Sequence, residues 1–289
     1  MPSGIIVIDK PSDWTSMDVC AKLRGRFHEK RVGHAGTLDP MATGVLPVFL
    51  GRATRAVTFA SESEKEYQFG LKLGVVTNTQ DVTGEIIRQT PFTGTAEDLL
   101  AVLPQFRGDI QQVPPMYSAI KINGQKLYDL ARKGREVERA PRPVTIHALA
   151  LEDQLGPDEF LLRVRCSKGT YVRTLCHDIG AAVGCGGCMS SLRRTMAAGF
   201  TLDDSVTLDT VLQAEDPAAL LLPVDAYFSG YPDLVATPEQ EKRIRNGAAL
   251  PMPGLPDGRY RVYSQEGTFL ALSQQKEGTL TTVKSFYAV

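Results

Sequence analysis

The run Gly33-His34-Ala35-Gly36-Thr37-Leu38-Asp39-Pro40-Met41-Ala42-Thr43-Gly44 constrains this chain more than any other stretch. It sets one carboxylate, Asp39, in a segment too rich in Gly, Thr and Pro to be regular helix or strand. Glycine admits positive φ and close backbone approach, while Pro40 fixes its own φ and restricts the residue before it. The run therefore predicts a shaped loop that presents one acid. An Asp before Pro often does no more than open a turn, so the residues around it must carry any functional weight.

The 289 residues suffice for one or two domains, with 43% hydrophobic and 22% charged side chains as in ordinary globular proteins. No apolar run approaches the roughly 20 residues of a membrane span. The start, Met1-Pro2-Ser3-Gly4-Ile5-Ile6-Val7-Ile8, lacks the basic region of a signal peptide and reads as a buried strand, so a cytoplasmic location is expected. Five cysteines (20, 166, 176, 185 and 188) show no disulfide spacing. Cys185-Gly186-Gly187-Cys188 reads as two thiols on a flexible loop after a helix. No second CxxC completes a zinc site, and the His-x-Glu and Pro-Cys-x-x-Cys pattern of a zinc nucleobase deaminase is missing.

A net charge of −1 conceals segregation. Residues 19–55 carry a net +5, residues 121–145 a net +4 and residues 161–200 a net +5, against −9 in residues 201–241. Basic segments brought together in space would suit a phosphate backbone, with the acidic segment turned away.

Several elements are legible. Ile5 to Ile8 predicts a strand; Thr15 or Ser16 can cap a helix with Val19, Cys20, Leu23 and Phe27 on one face. Strands are expected over Tyr67 to Leu73, near Glu85 to Arg88 and over Phe160 to Cys166, and a short helix over Ala96 to Leu103. The basic insertion Gln112 to Arg142 opens on Pro114-Pro115 and has a short amphipathic helix within Lys126 to Lys133. Thr170 is positioned to cap a helix whose apolar face is Val172, Leu175, Ile179 and Val183, with Gly184 as terminator. Beyond Ser229-Gly230-Tyr231-Pro232, Thr237-Pro238-Glu239-Gln240 predicts a capped helix that Asn246-Gly247 ends. Short strands follow around Tyr260, Phe269 and Thr279. Helices and strands mix without βαβ alternation, which predicts an α+β fold with a mixed, largely antiparallel sheet.

The Asp39 run continues as Val45-Leu46-Pro47-Val48 and Gly51-Arg52-Ala53-Thr54-Arg55, and is preceded by Asp9-Lys10-Pro11 and Trp14-Thr15-Ser16. Together these resemble the TruB family of bacterial tRNA pseudouridine-55 synthases through nearly the whole chain. The resemblance implies a catalytic domain over 1–230 with an RNA-gripping flap at 112–142, and a PUA-like RNA-binding domain over 231–289. It implies isomerisation of one uridine in the T-arm loop of tRNA by a monomer, with no cofactor, no metal, no membrane and no obligatory protein partner. By the same resemblance Asp39 is the nucleophile or base. Arg173, in Lys168-Gly169-Thr170-Tyr171-Val172-Arg173, is the cation beside it. Tyr67 stacks on the flipped uracil, Tyr171 and Leu192 line the pocket, and His34 fills the gap left in the RNA stack.

Chemistry agrees with one acid. The reaction moves uracil from an N1 to a C5 linkage, so nothing is oxidised and no group is imported. It needs a nucleophile, a proton route and a pocket that retains the free base. To act, the carboxylate must carry its charge, and a guanidinium beside it favours the charged form. A glycoside hydrolase would bring two flanking acids, and Asp39 has no identifiable partner acid. A simple RNA-binding protein would not need the Asp39, Tyr67 and Arg173 motifs intact. A guide-RNA-dependent relative is expected to be longer, with basic tails.

Overall fold

The computed structural model describes residues 2–122 and 124–287; Met1, Asn123 of the expected flap, and Ala288 and Val289 of the expected C-terminal domain lie outside the described residues. The fold is α+β around a 10-stranded mixed sheet. Its strands are β1 (Gly4–Lys10), β2 (Val32–His34), β3 (Thr43–Leu50), β4 (Lys65–Leu73), β5 (Gly108–Gln112), β6 (Arg142–Gly156), β7 (Glu159–Cys166), β8 (Gly187–Ala197), β9 (Phe200–Thr201) and β10 (Val206–Thr207). They run β10-β1-β3-β8-β4-β7-β6-β5, with β2 on β3 and β9 on β8. Pairing is antiparallel except for β1 with β10 and the short contact of β3 with β8.

Alternation along β1 explains how both faces are covered. Ile5 and Val7 pack with Phe49, Phe228 and Leu272, whereas Ile6 and Ile8 pack on Val19, Cys20 and Leu23 of helix α1 (Ser16–Arg26). Thr15 caps α1: its hydroxyl accepts from the Asp18 N–H (3.0 Å), and the Asp18 carboxylate accepts from the Thr15 N–H (3.0 Å).

Helix α2 (Val172–Val183) ends on Gly184 at φ 97°, as its sequence foretells. Its start differs from expectation. Thr170 donates instead to the Ser167 carbonyl (3.0 Å), and Tyr171 is the N-cap residue. The amide of Gln112 holds Tyr171 by both backbone groups (3.0 and 3.2 Å), which ties the helix start to the base of the basic insertion.

Cys185 and Cys188 are also corrected. Both are buried, and Cys188 lies within β8 rather than on a flexible loop. Gly180 and Gly187 bring helix and strand together: a Cβ on Gly180 would stand 2.2 Å from the Gly187 nitrogen. Among the described residues, no group of three or more His, Cys, Asp or Glu is arranged to hold a metal ion. No helix among them is long and apolar enough to cross a membrane.

The basic insertion leaves and re-enters the sheet on one rung, since Gln112 and Arg142 are register partners. Met116, Leu127 and Leu130 give it a small core, around the helix Leu127–Ala131.

A five-stranded C-terminal sheet spans Asp233–Val235, Leu250–Pro251, Gly258–Tyr263, Phe269–Lys276 and Thr279–Ser285. The helix Pro238–Arg245 carries the Thr237–Gln240 capping box read from sequence. An aromatic block joins this sheet to the larger one. Phe228 meets Phe59 and Phe286, each at a centroid distance of 5.6 Å. Tyr263 donates to Asp225 (2.8 Å), and Arg55 donates to the Ser285 carbonyl (2.9 Å). A cut after residue 230 would therefore bare Phe228 to water.

Candidate active site

The loop from Ala35 to Ala42 joins β2 to β3, and the N-terminal motif clamps it. Buried Ser16 accepts from the Leu38 N–H (2.9 Å) and donates back to the Leu38 carbonyl (3.3 Å). The ammonium of Lys10, wholly buried, donates to the carbonyls of Pro11 (2.9 Å), Trp14 (2.5 Å) and Pro40 (3.1 Å). The Asp13 N–H also reaches Pro40 (2.9 Å). Burial pushes the Lys10 ammonium down to about 8, opposed by the charges of Asp13 and Asp39. The backbone on both sides of Asp39 is thus fixed before any ligand arrives.

Arg173, near the start of α2, grips the carboxylate at two points: Nε to Oδ2 at 2.9 Å and Nη2 to Oδ1 at 3.3 Å. The same guanidinium donates to the carbonyls of Thr79 (3.0 Å) and Tyr117 (2.9 Å). Asp81 lies 3.8 Å from Nε. Asp81 is itself buried and held by the Thr79 hydroxyl (2.8 Å), the Thr83 N–H (3.0 Å) and the Thr83 hydroxyl (2.6 Å). A planar fork so constrained fixes the Asp39 carboxylate in position and orientation. The Arg173 side chain is only 7% exposed while that of Asp39 is 36% exposed, so the acid faces open space and its partner does not.

That space is a cavity of about 900 Å³. The Asp39 loop, Tyr67 of β4, Tyr171 and Arg173, Leu192 and Arg194 of β8, and Tyr117 and Tyr128 of the insertion line it. Five of the six site residues expected from sequence meet here: Asp39, Tyr67, Tyr171, Arg173 and Leu192. His34 does not; it is partly buried in β2, outside the lining, and burial with the Arg194 charge pushes its imidazole below the ordinary value. Burial, against the pull of Arg194, raises the Tyr67 phenol above its ordinary value. The phenol therefore remains protonated at neutral pH and can donate a proton but not accept one as phenolate.

Sequence reasoning missed Asp81 and Arg194. For Asp81 a signal existed: an acid between Thr79 and Thr83 in a turn-forming run. Arg194 is 1% exposed, cross-strand from Tyr67 on one side and from Gly44 on the other. Gly44 sits at φ 98°, and a Cβ there would lie 2.2 Å from the Arg194 carbonyl. Gly44→Ala is expected to destabilise the fold by about 3 kcal/mol or more, from backbone strain and overpacking together. Denaturant unfolding measures this, and a loss below about 1 kcal/mol would mean that the β3–β8 contact relaxes freely.

One fixed carboxylate faces an aromatic-walled cavity, where the mixed sheet changes from antiparallel to parallel pairing. Comparison with known proteins gives the family of the chain. Residues 24–172 match the TruB family pseudouridylate synthase N-terminal domain, and residues 173–229 match the tRNA pseudouridylate synthase B C-terminal domain. The tRNA pseudouridine synthase B of Clostridium kluyveri is 40% identical over 288 residues, 98% of this chain and 99% of that one. That of Stutzerimonas stutzeri is 44% identical over 282 residues, 95% of this chain and 92% of its own. Among solved structures, a Cbf5-Nop10-Gar1 complex aligns with a TM-score of 0.74 and 25% identity, covering 98% of this chain and 85% of that one. An H/ACA RNP bound to a substrate RNA containing 2'-deoxyuridine aligns at 0.73 and 23%, covering 99% and 85%. The chain belongs to the TruB family of pseudouridylate synthases and is an isomerase. The junction of the two family segments, at 172/173, is not a domain boundary, because β8 from the second pairs with β3 and β4 from the first.

Proposed function

We propose that this enzyme converts uridine 55, in the T-arm loop of tRNA, to pseudouridine by flipping the base into the Asp39 cavity. The observation that carries the reading is the two-point Asp39–Arg173 pair facing Tyr67 across one cavity. The names and near-full coverage of the Clostridium and Stutzerimonas relatives support tRNA as the substrate. Asp39 attacks sugar C1′ or base C6, or removes the C2′ proton to give a glycal. Arg173 holds the acid at two points and aims it. Tyr67 stacks on the flipped uracil, Tyr171 and Leu192 wall the site, and His34 occupies the place the base vacates. The cost of unstacking is a few kcal/mol, and an aromatic platform offsets part of it.

In the same reading, residues 1–230 carry the chemistry, while the flap at 112–142 and the domain at 231–289 hold the RNA. The enzyme works in the cytoplasm as a monomer, without a guide RNA, an obligatory protein partner, a metal or an organic cofactor. The decisive experiment is release of tritium from tRNA labelled at uridine C5, with mapping of the product. Binding alone releases none, and release without pseudouridine at position 55 would refute the site assignment.

Two substitutions at Tyr67 separate its roles. Tyr67→Phe keeps the ring, so RNA affinity should hold while the isomerisation rate falls. Tyr67→Leu should also weaken binding, because base–aromatic stacking is worth about 1–3 kcal/mol. Equal single-turnover rates for wild type and Tyr67→Phe would leave Tyr67 with stacking alone.

A further inference from the structure

Arg194 is a buried charge of the cavity lining that the Asp39 reading leaves without a task. Strand register sets it there: β8 places Arg194 opposite Tyr67 of β4, and its other neighbour, Gly44 of β3, has no side chain to compete for space. The guanidinium turns over that gap, donating from Nε to the Val45 carbonyl (2.7 Å) and from Nη2 to the Gly36 carbonyl (3.1 Å). Its charge also acts on the Tyr67 phenol across the strand pair, opposing the effect of burial there. These acceptors are neutral, so the charge stays whole.

Its chain neighbour behaves differently. Arg193, on the opposite face, makes a two-point ion pair with Asp9 at 2.8 and 3.1 Å. Among the described residues no carboxylate forms such a pair with Arg194. The surroundings register the uncompensated charge: Lys10, Lys65 and His34 are each pushed toward their neutral forms, by burial first and by Arg194 in addition. A buried cation without an anion is costly. It is the arrangement expected where negative charge arrives only during a reaction.

We propose that Arg194 is the electrostatic partner of the detached uracil: it stabilises the negative charge that the base carries after leaving the sugar. This rests on the reading that Asp39 frees the base at C1′ or through C2′. When the N1–C1′ bond breaks, its electron pair stays on uracil, delocalised from N1 onto O2 and, through C6, onto C5 and O4. In the same step an Asp39 oxygen bonds to C1′, or Asp39 takes the C2′ proton as the C1′–C2′ double bond forms. Later the same pair makes the C5–C1′ bond; the Asp39 bond to C1′ opens, or the C2′ proton returns. The C5 proton leaves and N1 is protonated, so no oxidant or reductant is required. Tyr67, cross-strand from Arg194, keeps its phenolic proton and can point it at the same anion.

The test varies the leaving base. Unmodified tRNA carrying uridine or 5-fluorouridine at the target is given to wild type, Arg194→Met and Arg194→Lys, and N1–C1′ cleavage is followed in single turnovers. Fluorine makes the departing anion more stable. Arg194→Met should slow cleavage of uridine by about 10²-fold or more, as removal of a preorganised donor does elsewhere. It should slow 5-fluorouridine at least about tenfold less, with Arg194→Lys between it and wild type. Equal losses on both bases would overturn the proposal and leave Arg194 a structural tie to Val45 and Gly36. Wild type alone also discriminates if Arg194→Met does not fold. Its rates on the two bases should agree within a few-fold, and a large acceleration by fluorine would overturn the proposal. A wild type that cleaves neither base refutes the parent reading instead, because all arms then stay silent.

Discussion

Asp39→Asn is expected to abolish isomerisation while leaving RNA bound. Asparagine keeps the shape of the side chain and removes its charge, so neither attack nor proton removal remains available. The loss should reach at least about 10³-fold, the scale of removing a nucleophile that acts as part of a unit. The fold should be little affected. The loop is pinned by Lys10, Ser16 and Asp13 through its backbone, not through the acid. Arg173 keeps its carbonyl acceptors and Asp81. Filter binding and single-turnover kinetics on the same preparation check both halves, and retention of more than a few per cent of wild-type turnover would remove Asp39 from the chemistry.

Arg173→Met should be the most disruptive single change at the site. It leaves Asp81 buried without its cation, and it strips the Thr79 and Tyr117 carbonyls of a donor. Breaking one side of a buried pair typically costs about 3–5 kcal/mol, or on the order of 10 °C in Tm for a chain of this size. The Asp39 half of the pair contributes less, because that carboxylate is partly exposed and can be hydrated. Arg173→Lys restores the charge but not the fork, so it should recover part of the stability and little of the turnover. Calorimetry against kinetics separates the two, and a lysine variant with full activity would show that charge alone suffices.

The sequence exposed those parts of the fold that depend on neighbours in the chain. Thr15 and Thr237 announce their helices because a capping box is complete within four residues, and Gly184 ends α2 because only glycine is at ease at its φ. The Asp39 loop is legible for the same reason. Thr170 misled: its local pattern fits a cap, but Gln112, 59 positions away, takes the helix start. Arg194 was illegible from local pattern. In sequence the two adjacent arginines count only toward the basic segment 161–200, and the pairing that sends one inward and the other outward is made by strands near residues 44 and 67. Cys185 and Cys188 read as loop thiols because the glycines between them suggest a turn; Gly186 does turn the chain, at φ 84°, but Gly187 serves close packing of strand on helix.

Because Gln112 and Arg142 face each other on one rung, whatever lies between them is a cassette. Its length can change without shifting the register of β5 or β6, and lengthening a loop whose ends are already paired costs little entropy. If the insertion holds RNA as proposed, a shorter or longer graft would alter which RNA is held while the sheet stays as it is. The Tyr117 carbonyl, which accepts from Arg173, sets the limit on such exchange. Any replacement must return an acceptor to that guanidinium, or the arginine that aims Asp39 is itself left short of a partner.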